Sequence, residues 1–539
     1  MSKGRTSLNL VDDELLEEAR LQNSHAEEEV ALENGFQSNT GLVQNPEWTP
    51  WQRISFRIGF LFIAQLLFPL QWGWYQRLAS VRSLKAFYSL SGGLGLRYIS
   101  LRSESGRWGI GSFASWGVAL LVAIVGAAIW TWFARNSKRK EYNALYYWTR
   151  LLVRYWVALS ILHFGYLKVW PRQMPFPSIS NLNTLLGETA TYRLYWASVG
   201  IVTWYQVVLG VLEVTAGSLL FFRATTALGA VLNLGVLYNI AHANFAYDGG
   251  VHTLSAEISL LSGFLLLQYV PDLWRLLIKK ESVQPHYYRP VFHEQWKRRA
   301  FLGAKIVAWI LFIPCFAWAT HDAFSNSNLS KEPRGPGLAG AKGYYSVTEF
   351  RLNDKVLPYS PLDPVRWHDV VFEDYPTLVY KVHRAFPLQL GNGSPAYKDV
   401  EKRYELSGFA GGRRYLHYEV DEAHQLLYLE DKNQGSEFGD SDREAGSGAK
   451  ANSKPKSVKL VWHYSRPSDS RIILSGFDDT GNSLYAVLDR VQENYPIQIG
   501  SPLPGQPLHY DRTFTRRYPV TNRSFDGKGD GGDCGRACM

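Results

Sequence analysis

The sequence predicts an α-helical polytopic membrane bundle of about seven transmembrane helices, followed by a C-terminal antiparallel β-rich soluble domain. Three observations predict it. Long apolar runs succeed one another between about residues 54 and 320, short alternating segments take over after about residue 325, and aromatic side chains reach 14% of the 539 residues. Amphipathic rings of that kind gather at membrane interfaces as well as in cores. The bulk values conceal the division, because 46% apolar residues and a mean hydropathy of −0.17 would suit an ordinary soluble chain.

Residues 1–47 carry DDELLEEAR and HAEEEVALEN and almost no aromatics, the composition of an acidic, disordered, solvated tail. No basic start precedes an apolar core there, so a secretory signal peptide is not expected. Seven runs then approach the roughly 20 residues that cross a hydrocarbon core of about 30 Å. They lie at about 54–71, 109–133, 144–169, 196–222, 225–246, 252–271 and 301–320. A soluble domain built from so many would have no polar surface left. The first two, with an outer loop, occupy residues 48–142; the next four occupy 143–272; a basic loop and the seventh occupy 273–324.

Basic residues set the orientation. RNSKRKEY after the second run, Arg223 after the fourth, and the stretch from Arg275 to Arg299 fall on one side of a seven-span layout. That side is expected to be cytoplasmic in a bacterial inner membrane, with the N-terminus inside and the C-terminal domain outside. The first connection, with Arg77, Arg82, Lys85, Arg97, Arg102 and Arg107, argues the other way.

Residues 325–521 are expected to form the extracytoplasmic β-rich domain, a sandwich or open barrel. VRWHDVVFE, TLVYKVHR, RRYLHYEV, HQLLYLE, VKLVWHY, RIILSGF and SLYAVLDR alternate over strand lengths between turn residues. A glycine- and serine-rich stretch near 436–457 reads as a flexible insert and residues 522–539 as a disordered tail. Cys534 and Cys538 in that tail match no usual zinc spacing.

The net charge of +9 sums acidic and basic segments and forms no single patch, so nucleic acid is not an expected partner. No phosphate-binding GxxxxGK[ST] loop, CxxC, GxSxG or strand-linked GxGxxG occurs. Ionisable residues inside spans remain, and they are costly enough to be candidate sites. Counted from the inner ends of their runs, Arg154 and Glu213 lie at similar depth, roughly 14–17 Å in, and form a candidate ion pair with a structural or a proton-handling role. His163, Asn239, His242 and Glu257 fall near the outer boundary as a candidate polar pocket, with Lys168, Asp248 and His252 at its rim. Such a group suits a structural polar network, proton exchange with a quinone, or a metal. The absence of any HExxH or His pair at i, i+4 leaves no metal site predicted.

The order of motifs in residues 150–272 resembles the DoxX-like family of small membrane proteins. The resemblance is carried by RLLVRYWVALSILHFGYLKVW, PRQMPFPSISNLNTLLG, WYQVVLGVLEVTAGSLLFFRATTALGA and NFAYDGGVHTLSAEISLLSGFLLL. Gly165, Lys168, Pro177, Gly210, Glu213, Arg223, Asn244, Tyr247 and Asp248 match the family pattern, whereas His252 stands where relatives often carry lysine. The resemblance covers under a quarter of the chain. It implies a four-helix core and, from some members, a quinone- or redox-linked membrane subunit. The alternative expectation is a non-catalytic scaffold or assembly factor that binds a membrane or periplasmic protein through the β-domain. A third is a small-solute transporter.

Overall fold

The computed structural model describes residues 48–495 except 69–71, 91–95, 97, 100, 102–108, 138–140, 285–286, 289, 291–293, 328, 385–387, 390, 392, 394, 434–457 and 493–494. The acidic N-terminal segment, the insert expected near 436–457 and the tail at 522–539 with Cys534 and Cys538 lie outside the described residues.

The chain divides into two compact units. The smaller comprises residues 1–57 and 127–142. Arg57 organises its described part. The guanidinium donates to the Tyr142 hydroxyl at 2.7 Å and to Thr131 Oγ1 at 2.7 Å, and Trp48, Phe56 and Trp130 pack their rings around Tyr142.

Residues 58–126 and 143–539 form the larger unit. The α-helices of the described residues are α1 (Pro50–Leu67), α2 (Trp72–Ser80), α3 (Leu84–Leu90), α4 (Ala114–Phe133), α5 (Asn143–Val169), α6 (Ile179–Leu182), α7 (Thr191–Gly200), α8 (Thr203–Leu219), α9 (Thr226–Ala246), α10 (His252–Leu266), α11 (Val270–Leu277), α12 (Gln295–Ile310) and α13 (Phe316–Asn326). Between the last two, Leu311–Cys315 form a π-turn around Pro314, which has no N–H for the regular ladder.

Among the described residues, three helical stretches are long and apolar enough to cross a membrane: Ile110–Asn136, Thr226–Ala246 and Gln295–Asn326. The number rises to five if each of two bent pairs is one span. The expected seven is not supported, and the reasons are local. The first run forms an 18-residue helix that carries Arg53 and Arg57, and α5 carries Arg150, Arg154, His163 and Lys168. The fourth run breaks into α7 and α8, bent by 91°, where a Cβ on Gly200 would lie 2.7 Å from the Pro175 carbonyl. The sixth breaks into α10 and α11, bent by 68°, with Pro271 opening the second piece. On the three continuous stretches, Leu121, Val125, Leu228, Val231, Leu302 and Ile306 are exposed, as lipid-facing side chains would be.

The C-terminal part is an antiparallel β-barrel. Its strands are β1 (Gly343–Leu352), β2 (Lys355–Val356), β3 (Asp369–Phe372), β4 (Thr377–Lys381), β5 (Arg413–Asp421), β6 (Leu426–Asp431), β7 (Lys459–Ser468), β8 (Arg471–Phe477) and β9 (Ser483–Val491). Their order is β2-β1-β3-β4-β5-β6-β7-β8-β9, and β1 also pairs with β9, so the sheet closes and leaves only the two-residue β2 as an appendage. Closure corrects the expected sandwich or open barrel. Alternation sends Leu460, Trp462 and Tyr464 of β7 inward and Lys459, Val461 and His463 outward. Inside, Tyr345, Phe350, Trp367, Phe372, Tyr418 and Trp462 belong to one buried cluster, so the interior is a packed core. β3 and β4 depart from alternation because both of their faces are covered: Val371, Val379 and Tyr415 meet Ile179 of α6 on the outside.

Candidate functional site

The helical unit reassigns the expected ion pair. Gly165 of α5 and Gly210 of α8 lie at an antiparallel crossing so close that a Cβ on Gly210 would come within 2.6 Å of Val169 N, and one on Gly165 within 2.8 Å of Val214 Cγ2. Side chains on a helix lean toward its N-terminus. On antiparallel helices, Lys168 and Glu213 therefore lean toward each other, and Lys168 Nζ lies 2.8 Å from both carboxylate oxygens. Both residues are buried. Arg154 does not reach Glu213. Equal counting from the two inner ends misplaces it, because Gly217 of α8 already packs on Ala158 and Ile161, so Arg154, one turn further back on α5, meets the turn before α9: it lies 3.4 Å from Thr226 Oγ1 and rests on the Tyr155 ring.

The expected pocket of His163, Asn239, His242 and Glu257 is not assembled. The buried face of α9 runs through Thr226, Gly229, Asn233, Leu237, Ala241 and Asn244. Asn239 and His242 lie about 200° and 100° of rotation from Leu237 and Ala241 and are exposed. His242 Nδ1 donates to the Tyr238 carbonyl at 2.9 Å. His163 faces the Tyr88 carbonyl at 3.3 Å among aromatic rings, and Glu257 is fully buried on α10. Among the described residues, no three His, Cys, Asp or Glu side chains are grouped to hold a metal ion.

Of the other motif positions, Pro177 precedes α6 and Arg223 is exposed. Asn244 donates to the Ile240 carbonyl, Tyr247 stacks on Tyr195 at 5.2 Å, and Asp248 adopts φ 62° in the turn before α10.

The densest set of buried charged groups lies where the connection between α5 and α8 meets the barrel. Glu373, just after β3, accepts the backbone N–H groups of Ile179 and Ser180 at 3.0 and 2.9 Å, at the start of α6. Asn181 Nδ2 donates to the Glu405 carbonyl at 2.7 Å. Arg413 of β5 spans three partners: Asp369 Oδ1 at 2.7 Å, the Asn183 carbonyl at 2.8 Å and Thr184 Oγ1 at 3.2 Å. Lys432 pairs with Glu405 and also donates to the Asp399 carbonyl. Arg193 of α7 lies over the Tyr404 ring at 3.7 Å, and Lys331 lies over Trp196 at 4.4 Å. A short β-bridge joins Thr189 to Phe409.

Perturbed titration marks this junction. Burial pushes Glu373 up to about 7 against the Ser180 and Ile179 N–H groups, and Glu405 adds to the rise. Burial also raises Glu332 to about 8, helped by Asp374, and lowers Lys331 to about 7, helped by Arg193. Carboxyls raised above the ordinary 4.5 favour the folded state most at or below that pH and lose the advantage as pH rises through the folded values. The lowered Lys331 works the other way, but only above about pH 7, so the two carboxyls prevail and the junction is expected to be tighter at pH 5 than at pH 8. Limited proteolysis within 171–190, followed across that range, should show cleavage accelerating with pH, and Glu373→Gln should flatten the dependence.

Beside the junction lies a cleft of about 600 Å³, lined by Arg334, Pro376, Tyr397, Asp399, His417 and Glu422 among others. That volume is within the range of small-ligand and peptide sites. The Asp399 carboxylate is already engaged by the N–H groups of Arg334 and Gly335 and by Lys402. His417 Nδ1 donates to the Pro376 carbonyl at 2.9 Å. Burial, with Lys432 adding, holds the imidazole below its usual range and hence neutral, with Nε2 as an acceptor. Tyr397 is 68% exposed at the rim.

The junction escaped the sequence reading because its partners lie about 190–230 residues apart. The Lys168–Glu213 pair had a signal: a glycine precedes each charged residue by three positions on neighbouring helices. A scan against protein-family models, a search of curated proteins and a search of solved structures return no match to this chain.

Proposed function

We propose that this chain is a non-catalytic membrane scaffold or assembly factor that presents its β-barrel to a protein partner outside a bacterial inner membrane. The observation that carries the reading is the cleft, which sits on a barrel with a filled interior and next to buried ionic contacts that fasten the barrel to the α5–α8 connection. Such fastening fixes where a bound partner stands relative to the connection. The orientation rests on the basic stretch from Arg275 to Arg299, which precedes the last span, Gln295–Asn326, and so falls on the side opposite the barrel; an odd number of spans, three or five, puts the N-terminus on the side of that stretch.

The test is co-purification from gently solubilised membranes after cross-linking. Tyr397→Ala combined with Glu422→Lys should cut recovery of the cross-linked partner about tenfold, equivalent to about 1.4 kcal/mol of binding, and leave the unfolding midpoint unchanged. Equal recovery with wild type would remove the cleft from the reading.

A second reading, a quinone- or redox-linked subunit of the DoxX-like type, is favoured by one observation: Lys168 and Glu213, both family-pattern positions, meet as a buried pair. Quinone retained by the purified protein and lost in Glu213→Gln would support it.

A further inference from the structure

Among the described residues, two glutamates are buried in the helical region, and their surroundings differ in kind. Glu213 is 1% exposed and has Lys168 Nζ at 2.8 Å from each oxygen. Glu257 is 0% exposed, and neither of its oxygens makes a hydrogen bond. It faces the Leu96 backbone N–H without a well-formed bond to it, and Tyr98 lies within its field.

Several donors nearby are committed elsewhere. The Tyr98 hydroxyl donates to Gln65 Oε1 at 3.2 Å, and the Gln65 amide donates to the carbonyls of Leu61 and Ala119. On α10 itself, Ser255 and Ser262 donate to the carbonyls of Val251 and Ile258, and His252 Nε2 is 2.7 Å from Ser112 Oγ. No ion pair among the described residues includes Glu257. A carboxylate anion with neither cation nor donor bears the full cost of leaving water, whereas a neutral carboxylic acid bears far less.

We propose that Glu257 holds a bound proton as a neutral carboxylic acid and is a proton-binding site within the helical region. The site is distinct from the barrel cleft and does not depend on the scaffold reading. It is also chemically distinctive. A lipid-soluble carbodiimide reacts with protonated carboxyls in apolar surroundings: the acid O–H adds across one C=N bond, the proton moves to nitrogen, and the acyl group then shifts from oxygen to nitrogen. The product is a stable N-acylurea, with no leaving group and no redox change.

The experiment treats the full-length protein, reconstituted in phosphatidylcholine vesicles at neutral pH, with dicyclohexylcarbodiimide and maps adducts by peptide mass spectrometry. The expected result is an adduct at Glu257, none at Glu213, and loss of the α10 adduct in Glu257→Gln. A water-soluble carbodiimide should leave Glu257 unmodified. In parallel, the infrared carbonyl band of protonated carboxyls should lose intensity in Glu257→Gln. An adduct at Glu213 but not at Glu257, or an infrared band unchanged by Glu257→Gln, overturns the assignment. Absence of any adduct together with an unchanged band overturns it equally. The wild-type adduct map does not depend on the variant folding.

Discussion

Lys168→Met is expected to destabilise the helical region by about 3–5 kcal/mol, the usual cost of leaving one member of a buried ion pair uncompensated. Glu213 would keep its burial and lose both of its contacts to Lys168 Nζ. Glu213→Leu alone should cost a similar amount by stranding the ammonium. The double variant should recover much of the loss, because two apolar side chains of similar length can fill the space without a charge to compensate. Thermal unfolding of the detergent-solubilised protein measures all three. Single losses that simply add in the double variant would mean that the two residues do not act as a pair. Arg154→Ala serves as the contrast: its partner is a hydroxyl at 3.4 Å, so no carboxylate is stranded by its removal.

Arg413→Ala carries the second large effect, again about 3–5 kcal/mol. The guanidinium is buried, and its removal leaves the Asp369 carboxylate and the Asn183 carbonyl without their donor. Arg413→Lys should restore little, because a point ammonium cannot reach three acceptors that the planar fork meets at once. The readout combines the unfolding midpoint with protease cleavage in the α5–α8 connection. A large drop in midpoint with no new cleavage there would place the role of Arg413 within the barrel alone.

The sequence was legible where periodicity is local. Seven alternating segments correspond to β3 through β9, since each needs only neighbours two residues apart to show its face. β1 (GYYSVTEFRL) escaped because the bulge between Val347 and Glu349 breaks its alternation, and the closure escaped because the pairing of Tyr344 with Val491 joins residues that no window spans. Helix length failed as a guide for a related reason. Pro271 and the close approach at Gly200 bend two apolar runs, and composition averaged over 20 residues does not register a bend. At the candidate sites, residue type singled out Glu213 and Glu257, and both are buried, but not with the partners expected. Partner identity depended on rotation about each helix axis, and depth along α9, which carries no rotation, grouped the exposed Asn239 and His242 with a pocket. Glu373 and Glu405 carry no local mark; their burial comes from a connection that folds over them.

The barrel's closing seam also sets a schedule. Every other strand contact joins neighbours that leave the ribosome within a short interval, but β1 cannot find its last partner until Val491 has been made, some 140 residues later. Until then two hydrogen-bonding edges stand open, one on β1 and one on the newest strand. Open edges of that kind invite pairing with other chains. The sequential meander keeps the hazard to a single pair of edges, and completion of β9 removes both together. Synthesis between Leu352 and Val491 is thus the interval in which this chain most depends on protection from its neighbours.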